Sequence, residues 1–129
     1  MKKLLVILAM FSVVIGLAVW EIVATTKFYD KTLNLLGELE ESFLTNEQLD
    51  SDDNLAVLSR LERHWQSGRK LVLVFGNHTV IRNADERMTA LSEFTRLNER
   101  SDATVSLKQA QNYIADLRQD VYPNLSNLL

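Results

Sequence analysis

Leu4 to Trp20 is an unbroken run of seventeen residues without a charge. At about 1.5 Å per residue a helix of this run covers roughly 25 Å, slightly less than a hydrocarbon core of about 30 Å. Glu21 interrupts, and Ile22, Val23 and Ala24 then extend the apolar stretch. Trp20 suits the membrane interface, and Glu21 beside it can reach headgroups. Lys2 and Lys3 precede the run, so the positive-inside rule places the N-terminus in the cytoplasm and the rest outside. We read residues 1–24 as an uncleaved signal-anchor and 25–129 as an exported domain. The rival reading is a cleaved signal peptide, whose best site would follow Ile22-Val23-Ala24. Ile22 is large for that role, and the apolar region is long for a signal. Ser12 and Gly16 stand four apart, a small-xxx-small face that can carry helix association, although two tolerated small residues are the plainer reading.

With 47% hydrophobic and 24% charged residues, the chain is neither disordered nor uniformly apolar. Four Gly and one Pro are too few for the turns of a sheet-rich fold, which favours long helices. The absence of Cys excludes disulfides, thiolate metal sites and a Cys nucleophile. The formal charge is −3, and with Lys2 and Lys3 set aside the remainder carries −5. Nucleic acid is therefore not an expected partner, because its phosphates demand clustered cations.

The periodicity predicts an all-α fold: the anchor helix continuing into a three- to four-helix antiparallel extracytoplasmic bundle. Tyr29, Leu33, Leu36, Glu40 and Phe43 step by three and four, with Leu39 beside them, so the anchor helix runs to about Phe43. Thr45-Asn46 and the acids from Asp50 to Asp53 then predict a solvated turn, with Asp50 or Ser51 capping the next helix. Leu58, Leu61, Trp65, Gly68, Val72, Phe75 and Thr79 form the clearest stripe. Leu71 to Phe75 alone has strand character, flanked by Gly68 and Gly76. Asn83 resembles the next cap, followed by Ala84, Met88, Leu91, Thr95 and Asn98. Ser101-Asp102 opens the last helix, whose stripe is Ala103, Leu107, Ala110, Ile114, Leu117 and Val121, and Pro123 ends it. Short connections make neighbours antiparallel.

Chemistry-bearing constellations are few. His64 and His78 are the two histidines, and on one straight helix they would lie about 21 Å apart, too far to share a metal. His78 reads as a packed or capping residue. Asp50-Ser51-Asp52-Asp53 lacks the central Gly and distal Glu of a calcium loop. No Gly-x-Ser-x-Gly elbow or phosphate-cradling Gly loop occurs. The sequence therefore points away from an enzyme, and no cofactor or metal is expected. Trp65 reads first as a core anchor and second as an interface hot spot. Arg60, Arg63, Arg69 and Lys70 read as a solvated face, or as a face for lipid headgroups if their helix returns toward the membrane.

Lys2-Lys3 with the apolar anchor, His64-Trp65 in a charged helix, His78 two heptads later and the closing Ser126-Asn127-Leu128-Leu129 together resemble domain of unknown function 4363. This is a family of small membrane-anchored proteins of Gram-positive bacteria. The chain departs from its pattern after His78, where Thr79-Val80-Ile81 stands in place of an acidic residue. The resemblance implies an all-helical exported domain without a known activity, and partnership with larger multi-pass membrane proteins.

The expectation is an accessory or scaffold subunit that sits in the lipid bilayer and binds another membrane protein. Trp65, Phe75, His78, Ser12 and Gly16 are the candidate partner-binding residues. The alternative is a ligand-sensing or small-molecule-binding bundle, which the three residues ahead of the anchor leave without a cytoplasmic output. A groove of convergent polar groups would favour the alternative, and a broad exposed apolar patch the accessory reading.

Overall fold

The computed structural model describes residues 1–75 and 78–121, the side chains of 74 and 75 excepted. Among these residues four helices follow one another: α1 (Lys2–Thr45), α2 (Asp52–Phe75), α3 (His78–Arg96) and α4 (Arg100–Asp120). No strand occurs among the described residues, so Leu71 to Phe75 is helical. Its β-branched and aromatic side chains follow the period of the helix they continue, and this overrides local strand propensity.

α1 is continuous for 44 residues, through the boundary expected near Ala24. Every side chain from Met1 to Trp20 is exposed, and packing begins at Glu21. From there α1 lies against α2 and α4, and α3 closes the ring by packing against both. Cross-helix pairs give the directions. Asp30 pairs with Arg118 and Glu40 with Lys108, while Glu38 pairs with Arg60 and Thr32 bonds His64. As one number rises the other falls, so each neighbour is antiparallel, as short loops require.

The buried face of α1 is Phe28, Tyr29, Thr32, Leu35, Leu36, Leu39 and Phe43. This is the expected stripe rotated slightly: Leu33 is only partly buried and Glu40 turns outward to Lys108 and Gln111. Trp65, Leu36, Leu39, Leu58, Leu61, Ile81, Leu91, Leu107 and Ile114 fill the interior. At Gly68 α1 and α2 approach so closely that a Cβ would overlap the Phe28 ring.

The turns depart most from expectation. The segment between α1 and α2 is not simply solvated: Leu49 and Asn54 are fully buried. Asn54 accepts bonds from the Ser42 hydroxyl and from Asn46 Nδ2 (3.3 Å), and donates to the Gln48 carbonyl (3.3 Å). Ser51 does cap α2, its hydroxyl accepting the Asn54 N–H at 3.3 Å. Asn83, expected as a cap, lies inside α3, because α3 already begins at His78. The expected stripe through Thr79 breaks for the same reason: α2 ends at Phe75, and Thr79 is exposed on the next helix. Asn98 does not continue the α3 stripe. It adopts φ 56°, the left-handed conformation that Asn tolerates at the end of a helix. The Glu99 N–H bonds the Phe94 carbonyl at 2.9 Å and the Asn98 N–H bonds that of Thr95 at 3.1 Å, the Schellman pattern. Asn98 Oδ1 then accepts the Leu49 N–H at 2.8 Å, joining two turns. α4 begins at Arg100 with Glu99 in the cap position, so Ser101 and Asp102 lie in its first turn. Pro123 and the closing Ser126-Asn127-Leu128-Leu129 lie outside the described residues.

Candidate functional site

The most elaborated part of the bundle surrounds Trp65. Trp65 is 2% exposed and stacks on Phe28, with ring centroids 5.3 Å apart. Its indole N–H donates to Asp85 Oδ1 at 2.6 Å, and Arg69 donates to Asp85 Oδ2 at 2.5 Å. One α3 carboxylate thus holds two side chains of α2. A buried indole N–H needs such an acceptor.

α2 and α3 pack least closely of the neighbouring helices. Between them runs a cleft of about 620 Å³, floored by Leu58, Leu61, Trp65 and Met88. Its walls are polar but largely matched within the cleft. Glu62 accepts from the Ser92 hydroxyl at 2.8 Å and from Arg96 at 3.0 Å, and Arg69 is tied to Asp85. Arg69 Nε is buried without a hydrogen bond. A ligand entering here would meet an apolar floor, the Glu62–Arg96 and Arg69–Asp85 pairs, and the polar side chains of Gln66, Thr89 and Glu93.

His64 lies on the opposite side of α2, against α1. Its Nε2 is 3.1 Å from the Phe28 carbonyl and 2.9 Å from the Thr32 hydroxyl. A carbonyl only accepts, so Nε2 carries the proton, and Nδ1 is the atom left to titrate. The ring also rests on Phe28, with centroids 4.9 Å apart. Burial holds the imidazole below its ordinary 6.5; the Phe28 carbonyl opposes the shift, and the Lys31 charge adds to it. A depressed folded value means that the folded chain binds fewer protons than the unfolded chain. The stabilising effect is complete above the ordinary histidine value and declines as pH falls through that value toward the folded one. His64→Gln is therefore expected to flatten the loss of melting temperature between about pH 7.5 and about pH 5.5. Parallel pH profiles for the variant and the wild type would show that His64 does not contribute.

The residues singled out in the sequence do not converge. Trp65 is a core residue and forms the cleft floor. His78 is exposed in the first turn of α3, neither packed nor on the helix of His64, so the two histidines share no face. The side chain of Phe75 lies outside the described residues. Ser12 and Gly16 lie on the exposed apolar part of α1, the Ser12 hydroxyl donating to the Leu8 carbonyl at 2.9 Å and a Cβ at Gly16 meeting open space. Among the described residues no group of three or more His, Asp or Glu side chains is placed to hold a metal ion.

Three residues that anchor the structure were not apparent in the sequence. Asp85 and Arg69 are sixteen positions apart on different helices, which leaves no local signal. Arg100 donates to the carbonyls of Phe43 (2.8 Å), Asn46 (2.6 Å) and Glu47 (2.8 Å), capping the end of α1 from α4. Thr32 did leave a trace. A hydroxyl at the centre of a leucine stripe needs a polar partner; the Thr32 hydroxyl donates to the Phe28 carbonyl one turn back at 2.8 Å and also meets His64 of the facing helix.

The architecture is that of an all-helical chain in which one long apolar N-terminal helix leads into a four-helix ring. The chain belongs to the DUF4363 family: the model of this domain of unknown function matches residues 19–128, from the end of the apolar segment through α4 and beyond. No curated protein and no solved structure matches it.

Proposed function

We propose that this chain is a single-pass membrane protein whose helical bundle serves as an extracytoplasmic accessory or scaffold subunit for another, multi-pass, membrane protein. It acts by binding rather than by catalysis. The observation that carries this reading is α1. Its first twenty residues are exposed on every side, while the same unbroken helix supplies one quarter of the bundle. Such a surface belongs in lipid or against other apolar helices. A continuous helix also transmits position from the bilayer to the bundle without a flexible joint. Lys2 and Lys3 support a cytoplasmic N-terminus and hence an external bundle. Ser12 and Gly16 leave one face of the span open to close approach by a second helix.

The α2–α3 cleft favours a second reading, a small-molecule-binding bundle, because polar groups converge over an apolar floor. The Glu62–Arg96 and Arg69–Asp85 pairing weighs against it, since a ligand would have to compete with two ion pairs along the walls.

In-cell crosslinking of the full-length protein, followed by capture from detergent-solubilised membranes and mass spectrometry, separates the two. A multi-pass membrane protein is expected at near-stoichiometric yield, and its recovery is expected to drop when residues 1–24 are replaced by an unrelated span. Recovery of the chain alone or crosslinked only to itself would sink the accessory reading.

A further inference from the structure

The four helices sort charge along the long axis of the bundle. The contacts Phe28–Gly68, Asp30–Arg118 and Arg69–Asp85 mark the half nearest the apolar segment of α1. Glu38–Arg60, Glu40–Lys108 and Glu62–Arg96 mark the far half. The near half, residues 21–33, 63–87 and 111–121, holds eight Lys and Arg against six Asp and Glu. The far half, residues 34–62 and 88–110, holds four against eleven. A chain of net negative charge therefore keeps a slightly positive half beside its apolar segment and puts its whole excess of acid in the other.

Within the near half the cations gather on one seam. Lys27 and Lys31 stand four apart on one face of α1, and Trp20 stands seven before Lys27 on the same face. Arg63, Ser67 and Lys70 share a face of α2 by the same spacing. Lys31, Arg63, His64 and Ser67 line a surface hollow of about 440 Å³ between the helices. Lys27, Lys31, Arg63 and Lys70 are all exposed. The nearby carboxylates are engaged or displaced from this seam. Glu38 stands about two turns beyond Lys31 and is engaged at 2.8 Å by Arg60, which also lines the hollow, Asp30 is held by Arg118, and Glu21 is on the face next to that of Trp20.

Heights follow from the unbroken α1. Lys27 stands about 5 Å beyond Ala24 and Lys31 about 10 Å. The Phe28–Gly68 contact sets Lys70 near the height of Lys27, and the Thr32–His64 bond sets Arg63 near that of Lys31. The headgroup layer extends about 5–7 Å past the hydrocarbon, and the potential of an anionic surface decays over about 8–10 Å. Long side chains snorkel toward it. All four cations are within that range.

We infer that this α1–α2 seam rests on an anionic phospholipid surface, with phosphate-bearing headgroups at Lys27, Lys31, Arg63 and Lys70. The acid-rich far half is held off the bilayer by the same field. The inference rests on α1 being a membrane span, and it adds a lipid preference and a tilt that the span alone does not supply.

The chain has no Cys, so Ser67→Cys and Ser101→Cys each give a single labelling site, on the seam and at the far end. Full-length protein is reconstituted in vesicles of phosphatidylcholine, with or without phosphatidylglycerol, carrying a headgroup energy acceptor. The Ser67→Cys label is expected to transfer roughly twofold or more efficiently when phosphatidylglycerol is present, and high salt should reverse the gain. The Ser101→Cys label should not respond. Combining Lys27→Glu, Lys31→Glu and Lys70→Glu should abolish the gain, with circular dichroism confirming that the exposed substitutions leave the fold intact. Equal transfer in both lipids, in protein that floats with the vesicles, overturns the inference and leaves the span standing. Protein stripped from the vesicles by alkaline carbonate overturns the span itself, and the inference with it.

Discussion

Trp65→Ala is expected to lower the stability of the bundle by about 3–5 kcal/mol, the range for truncating a large buried aromatic residue. The loss has three parts that act together. The Phe28 ring loses its stacking partner, the floor of the α2–α3 cleft opens into a larger void, and Asp85 loses one of its two donors. Leaving that carboxylate half-satisfied matters because it also positions Arg69. Trp65→Phe should recover the packing but not the hydrogen bond, and should fall between the wild type and Ala. Thermal or urea unfolding of the detergent-solubilised protein measures the series. If Trp65→Ala melts with the wild type but no longer captures the membrane partner, Trp65 is an interface residue and its burial in the isolated chain is not what selects it.

Gly68 and Gly37 are expected to respond to alanine with opposite signs. Both lie within helices, where Ala exceeds Gly by up to about 1 kcal/mol. At Gly37 a Cβ meets nothing within 4 Å, so Gly37→Ala should gain most of that amount. At Gly68 the same Cβ overlaps the Phe28 ring, which is pinned between Tyr29, His64 and Trp65. Any shift of the ring must disturb those three contacts, and overpacking of this kind costs about 1–3 kcal/mol. Gly68→Val should cost more than Gly68→Ala. Phe28→Leu should partly suppress either, a coupling that a double-mutant cycle isolates. Additive effects of Phe28 and Gly68 substitutions would show that the close approach of α1 and α2 is not the constraint.

Legibility in the sequence followed the range of the interaction that decided each feature. Hydrophobic period is local, so the helical nature of each segment and most of its buried face could be read: Leu58, Leu61, Trp65 and Val72 on α2, and Ala103, Leu107, Ala110 and Ile114 on α4, are all buried. Helix ends were legible where local residues decided them. Ser51 begins α2 through its own hydroxyl. α1 ends at Thr45, close to the expected Phe43, and α3 ends in the local turn at Asn98; the Arg100 and Asn98–Leu49 bonds that tie these ends together join residues about fifty positions apart and left no local signal. Asn83 has a cap's chemistry in the middle of a helix, because burial of Ile81, Ala84 and Met88 on one face carries α3 through it.

By itself, then, the sequence determined an apolar N-terminal segment long enough to approach the width of a bilayer, a helix continuing from it into a bundle of three to four amphipathic helices, and their antiparallel order. Each of these follows from charge, period and loop length along the chain. Tertiary structure alone decided which polar side chains meet: Asp85 with Trp65 and Arg69, Thr32 with His64, Arg100 with the end of α1. It also decided the gathering of Lys27, Lys31, Arg63 and Lys70 on one seam and of the acids at the far end. α2 carries that polarity along its own length, with Asp52, Asp53 and Glu62 toward its start and Arg63, Arg69 and Lys70 toward its end. The seam forms because antiparallel packing sets the basic C-terminal half of α2 beside the stretch of α1 that leaves the apolar segment.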